Sequence, residues 1–227
     1  MTTTFAEVSS PFFSIVMPSY LGAYEGNYGR SASDRLHKFD RAIRSCIGQS
    51  FDAWELIVVA DGCEDTWLLR HKYMDLDRRV RFVRIPKQRL WSGVPRNTGI
   101  YSAGGLYITY LDTDDQFGPD HLASLADGIA AAGTPSLAIT DDFTYDTTAD
   151  QLVRRIASAS KQNTIGTSNI HHRRDLGAYW PEITYRWPSM GYDHDLQFYR
   201  HLLTMAEPVH VEGGEYYVMH IPRTYDL

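Results

Sequence analysis

Cysteine is scarce. Cys46 and Cys63 are the only two among 227 residues. Neither lies in a C-x-x-C pair, so a disulfide framework is excluded. One bridge between them stays open, and reduced thiols in a cytoplasmic protein are the simpler reading. Positive charge is also in deficit: 22 Lys and Arg against 28 Asp and Glu leave a net charge of −6. A duplex-DNA binder needs a positive footprint, so nucleic acid is not the expected partner. The opening residues, MTTTFAEVSSPFFSIVMPSY, have no basic leader and no apolar run near the roughly 18 residues that a bilayer span requires. The expectation is a cytoplasmic protein, soluble or at most peripheral, with no stable membrane insertion. Repeats and low-complexity tracts are missing. So are G-x-G-x-x-G, the P-loop and G-x-S-x-G. Dinucleotide redox enzymes, P-loop NTPases and lipase-type hydrolases thereby lose their main sequence support.

What is present is the composition of a globular domain: 43% apolar and 13% aromatic residues, with a mean hydropathy of −0.34. The length fits one domain over residues 1–227. Short apolar runs alternate with helical periods. Strands are predicted at 12–16, stopping at Pro18, and at 54–59, 80–85, 106–111 and 137–140. Helices are predicted at 35–47 (capped by Ser33 or Asp34), 64–76, 93–103 and 119–132, the last with Pro119 in its first turn. Later come a polar stretch at 144–162 with an alternating piece at 152–156, a strand at 167–170, a helix at 193–203, and strands at 209–211 and 216–221. This order predicts an α/β fold: a mostly parallel central sheet with helices on both faces. Ligands bind such sheets beyond the carboxyl ends of the strands. Here those ends read Pro18-Ser19-Tyr20, Asp61-Gly62 and Asp112-Thr113-Asp114-Asp115.

Three carboxylates after a buried strand repel one another unless a cation lies among them, and Mg²⁺ or Mn²⁺ takes one or two carboxylates plus phosphate oxygens. A solvated helix-capping turn is the other reading. Asp61 fits an Asx turn with Gly62 or a contact to a base or ribose. Asp193 and Asp195 open a helix, where they either complement its dipole or offer a general base. His171, His172 and His220 are candidates for phosphate or metal, or for the core. Residues 78–89 are basic, but Arg79, Arg81 and Arg84 interleave with apolar residues as the polar side of a strand would.

In order, these pieces resemble a family 2 glycosyltransferase of the GT-A, Rossmann-like sandwich fold. The resemblance rests on FSIVMPSY (13–20), AIRSCIGQSF (42–51), WELIVVADG (54–62), PRNTGI (95–100), AGGLYITYLDTDD (103–115) and PDHL (119–122). It is thinner at 167–174 and at GYDHDL (191–196). It implies a nucleotide-diphosphate sugar, by family habit a UDP-sugar, lying across the strand ends. Residues about 12–125 form the donor half and about 126–227 the half facing a hydroxyl-bearing acceptor. Pro18 and Tyr20 line the nucleoside pocket and Asp61 meets the base. Arg96 lies near the diphosphate or sugar. Asp112 and Asp114 form the DXD motif: Asp112 holds the ribose or sugar side, Asp114 reaches Mn²⁺ or Mg²⁺, and Asp112 and a late His220 are the further metal ligands. Asp193 is the catalytic base of a single inverting displacement, and Asp195 the runner-up. The family's first Asp of DDgS is Ala60 here, and the Glu of its ED pair is Tyr192. Residues 21–33 replace a short loop and read as a lid or as a surface insertion. Tyr179, Trp180, Tyr185 and Trp187 read as an acceptor platform or as packing. Two other functions compete: a nucleotidyltransferase, and a non-catalytic nucleotide-sugar-binding module.

Overall fold

A computed structural model describes residues 10–22, 34–88, 92–146, 148–149, 151–158, 165–182, 194–212 and 216–218. In chain order the elements are β1 (Phe13–Ser19), α1 (Arg35–Ile47), β2 (Trp54–Asp61), α2 (Glu64–Leu68), α3 (Arg70–Leu76), β3 (Val80–Ile85), α4 (Gly93–Ser102), β4 (Tyr107–Tyr110), β5 (Gln116–Phe117), α5 (His121–Ala131), β6 (Leu137–Ile139), β7 (Asp142–Asp146), β8 (Gln151–Arg155), β9 (Ile170–Arg173), α6 (His194–Leu203), β10 (Pro208–His210) and β11 (Tyr216–Val218).

The run WELIVVAD is buried at every position of β2. A strand covered on both faces reads as a continuous apolar run, which is the mark of a parallel sheet between helices. The main sheet has the order β10-β6-β9-β4-β1-β2-β3. Its pairings are parallel except those of β9, which runs antiparallel to β4 and β6. A smaller sheet has the order β5-β11-β7-β8. Side chains along β1 alternate between two cores, as a period of two demands. Ile15 and Met17 join Phe39 and Ile43 of α1 and Leu122 and Leu125 of α5. Val16 joins Ile100 of α4, Phe198 of α6 and Trp180. Gly99 lets α4 approach β1 closely, since a Cβ there would lie 2.4 Å from Val16 Cγ1. The predicted sheet with helices on both faces is therefore the observed one, and it gathers the ends of β1, β2 and β4 at one edge.

Local departures have local causes. β1 continues through Pro18 to Ser19, because its pairing with β4 ends at Val16 and leaves that side without a ladder to break. The helix expected over 64–76 is two helices, α2 and α3. Leu69 separates them, and Arg70 Nη1 donates to the Trp67 carbonyl at 2.8 Å across this junction. Pro119 precedes the N-cap residue Asp120 and stands outside the first turn of α5. Asp34 caps no α1 amide with its side chain and sits at φ 63°, while Ser33 lies outside the described residues. Residues 167–169 form a 3₁₀ turn where a strand was expected, and the strand follows as β9. Asn169 explains this: its side chain accepts the Gly166 amide at 2.7 Å and donates to the Thr140 carbonyl at 2.9 Å, displacing ladder bonds. The polar stretch contains a hairpin, β7 with β8. Both cysteines are free and buried. Among the described residues, no helix is long and apolar enough to cross a membrane.

Candidate active site

The edge is built from β2 outward. Asp61 ends β2 and is buried. It accepts Lys87 Nζ and the Gln88 amide, each at 2.6 Å. The Lys87 ammonium also stands 4.1 Å from the centroid of the Tyr20 ring. Gly62 makes this packing possible: it has φ +60°, and an added Cβ would lie 2.5 Å from the Lys87 backbone. Ser19 Oγ and Thr66 Oγ1 are 3.0 Å apart, which ties the end of β1 to α2. Pro18 lies on β1 opposite Val59, one residue short of that end.

The centre of the site is Arg96, which α4 buries to 4% exposure. Its guanidinium donates to Asp112 Oδ1 at 2.7 Å, to Thr167 Oγ1 at 3.2 Å and to Ser92 Oγ. It stacks 4.4 Å above the Trp180 ring. A buried cation is stable only with such compensation. Asp114 stands two residues on. Burial, with Asp112's negative charge second, pushes its carboxyl up to about 6. Asp195, at the start of α6, completes the group. Burial raises its pKa and Asp112's charge adds to this, while Arg96 and a hydrogen bond with Thr167 act the other way. Asp112, Arg96, Thr167 and Asp195 are thus drawn from β4, α4, the 167–169 turn and α6 to one place.

Asp112 and Asp114 are a donor set that a hard divalent ion fits when phosphate oxygens complete its shell: two neighbouring carboxyl side chains, one of them raised by burial and then by the other's charge, which a cation would relieve. No group of three or more His, Cys, Asp and Glu that could hold a metal by itself occurs among the described residues. His220, Asp193 and Tyr192 lie outside the described residues, as do 23–33 of the expected lid and Tyr185 and Trp187 of the expected platform.

Two readings that the sequence left open are decided. His171 and His172 are core residues. His171 bridges Thr109 Oγ1 at 2.9 Å and Thr140 Oγ1 at 3.0 Å, and His172 meets the Tyr110 hydroxyl at 2.7 Å. Burial holds both well below the ordinary histidine range. Trp180 is no exposed platform: it is 2% exposed and stacks on Phe198 at 4.1 Å. Tyr179 is exposed but packs on Tyr101. The basic stretch on β3 is the polar face expected of it, with Arg79, Arg81 and Arg84 paired to Asp77, Glu55 and Glu64. Sequence reasoning missed Lys87 and Thr167. Lys87 follows a strand end, and Thr167 shares its turn with residues that read as a strand; only their spatial neighbours single them out.

The model of the family described as "Glycosyl transferase family 2" matches residues 32–192. An uncharacterized glycosyltransferase of Haemophilus influenzae is 33% identical over 116 residues, which cover 51% of this chain and 41% of that protein. The chain therefore spans well under two thirds of that relative's length. The crystal structure of S. aureus TarS residues 1–349 in complex with UDP superposes with a TM-score of 0.67 at 16% identity, covering 91% of this chain and 60% of that one. The mannosyltransferase PcManGT from Pyrobaculum calidifontis, in complex with GDP-Man and Mn²⁺, superposes with a TM-score of 0.65 at 13% identity, covering 96% and 59%. Both likenesses are of fold.

Proposed function

The chain belongs to glycosyl transferase family 2, and on that premise we propose that it moves a sugar from a UDP-sugar to an acceptor hydroxyl by a metal-dependent inverting displacement. The observation that carries this reading is the convergence of Arg96, Asp112, Thr167 and Asp195 beside Asp114 at the carboxyl edge. The neighbours complexed with UDP and with GDP-Man and Mn²⁺ support the donor class and the use of a divalent ion.

Asp61, Lys87 and Tyr20 receive the base, with Pro18 behind them. Asp112 and Asp114 would hold Mn²⁺ or Mg²⁺ against the diphosphate. When bound, the ion supplies Lewis-acid stabilisation of charge on the leaving nucleotide. Arg96 adds a fixed positive charge beside Asp112 that needs no reorganisation during reaction. A carboxylate at the start of α6 takes the proton of the attacking hydroxyl, and one displacement inverts the anomeric carbon. Asp193 matches the family base by motif. Asp195 is the carboxylate that the described geometry sets against Arg96, Asp112 and Thr167. Residues about 12–125 supply most donor contacts, and the later half supplies the acceptor side.

Calorimetric titration with UDP, GDP, CMP and dTDP, with and without Mn²⁺, tests the donor side. Tight Mn²⁺-dependent binding of UDP is expected. Binding of none of the four would leave a non-catalytic module of the same fold. Asp193→Asn and Asp195→Asn then separate the two acids: the base variant loses about 10²- to 10⁴-fold in transfer and keeps UDP affinity.

A further inference from the structure

Asn97 follows Arg96 on α4 and points to the other side of the site. It is buried, and both ends of its amide are used on one residue. Nδ2 donates to the Trp180 carbonyl at 3.0 Å, and Oδ1 accepts the Trp180 amide at 2.8 Å. The side chain thus imitates a neighbouring strand and holds Trp180 as a ladder would. The Trp180 ring is gripped on two faces, by the Arg96 guanidinium at 4.4 Å and by Phe198 of α6 at 4.1 Å with 18° between planes. One residue on, the Pro181 carbonyl meets His194 Nε2 at 3.2 Å, at the first residue of α6. Gly93 opens the space for this contact. A Cβ there would lie 2.5 Å from the Pro181 oxygen and 3.2 Å from His194 Nε2. The first two turns of α4 are therefore a seat on which 180–181 and the start of α6 rest.

We propose that Asn97 is a positioning residue: by clamping Trp180 it sets the first turn of α6, with Asp195, against the Arg96–Asp112 pair. This rests on the glycosyl-transfer reading, in which that carboxylate faces the acceptor hydroxyl. The clamp touches neither Asp61 nor Asp114 and reaches Arg96 only through the Trp180 ring, so its main effect falls on the proton-transfer side. Displacing a reacting group by about 1 Å costs about 10²-fold in rate.

The test uses the whole chain with Asn97→Ala, Asn97→Asp and Gly93→Ala. UDP–Mn²⁺ affinity is measured by calorimetry, hydrolysis of UDP-GlcNAc, UDP-glucose and UDP-galactose by UDP release, and α6 order by hydrogen exchange. Asn97→Ala should lower kcat at least tenfold, with KM for the donor and Kd for UDP within twofold. Its α6 amides should exchange faster while those of β1 and β2 do not. Asn97→Asp keeps an acceptor for the Trp180 amide but sets its other carboxylate oxygen against the Trp180 carbonyl and Glu182 Oε1, so it should lose at least as much kcat as Asn97→Ala. If Asn97→Ala does not fold, Gly93→Ala, which crowds the Pro181 carbonyl, carries the same expectations. Unchanged kcat, unchanged α6 exchange, or equal losses of kcat and UDP affinity would overturn the proposal. If the parent chain binds no UDP and hydrolyses no donor, the glycosyl-transfer reading falls, and α6 exchange alone then decides whether the clamp exists.

Discussion

At the scale of single residues, Asp114 reports whether the carboxyl edge is a cation site. Its pKa in the fold, about 6, stands above the ordinary carboxylate value because of burial and Asp112's charge. A raised pKa means its contribution to stability is full below about pH 4 and is lost as pH rises through 6. A bound cation reverses this, since it favours the ionised form. Mn²⁺ should therefore raise Tm more at pH 7.5 than at pH 5.5. Asp114→Asn should raise Tm at pH 7.5 without metal and abolish the Mn²⁺ dependence of UDP binding; thermal shift and calorimetry read both. Gly62 is the second diagnostic residue. With φ +60° and the Lys87 backbone 2.5 Å from where a Cβ would lie, Gly62→Ala is both strained and crowded. It should cost about 1–3 kcal/mol in denaturant melts. UDP affinity should fall with it, because the Asp61–Lys87–Gln88 cluster must move.

At the scale of elements, the ends of helices show where local rules hold and where they yield. α5 closes through Gly133 at φ +77° and then Thr134 at φ +56°, whose amide binds the Ile129 carbonyl at 2.9 Å. Glycine accepts that region freely, and a β-branched residue does not. Thr134 is exposed and far in sequence from every proposed site residue. Thr134→Gly should raise stability by about 1 kcal/mol and leave UDP binding unchanged, as urea titration and calorimetry would show.

At the scale of the whole molecule, buried histidines set the acid limit. Burial lowers His121 to about 3 and His172 to about 4, and it holds His171 well below its ordinary value. All three take up protons near pH 6.5 once unfolded. Between about pH 6.5 and 4 the unfolded chain thus binds more protons. The stability these groups allow is complete above 6.5 and falls as pH drops toward their values in the fold. His121 adds a second cost: it stacks on Phe117 at 4.2 Å, and neither ring nitrogen has a partner among the described residues. His121→Phe should raise stability at pH 7 by about 1–3 kcal/mol and flatten the decline of Tm between pH 7 and 5.

Apart from β5 and the break between α2 and α3, the order of strands and helices through residue 140 could be read from sequence because the other elements follow their own period and turn residues: apolar runs at β1, β2 and β4, and helical spacing at α1. The acidic edge could be read because strands of a parallel sheet end on one side. Membership in the glycosyltransferase family rests on motifs that keep this order, so it too was in the chain. The tertiary structure alone decided which groups meet. Arg96 reaches Asp112 and Thr167 only when α4, β4 and the 167–169 turn are assembled, and Trp180 is hidden only when α6 lies on it. His171 and His172 read as phosphate or metal candidates or as core until β4 and β6 close over β9. Local sequence determines periodicity and turns through interactions over a few residues. Burial, ion pairing and the raised carboxyl of Asp114 arise between residues far apart in the chain, and only folding brings those together.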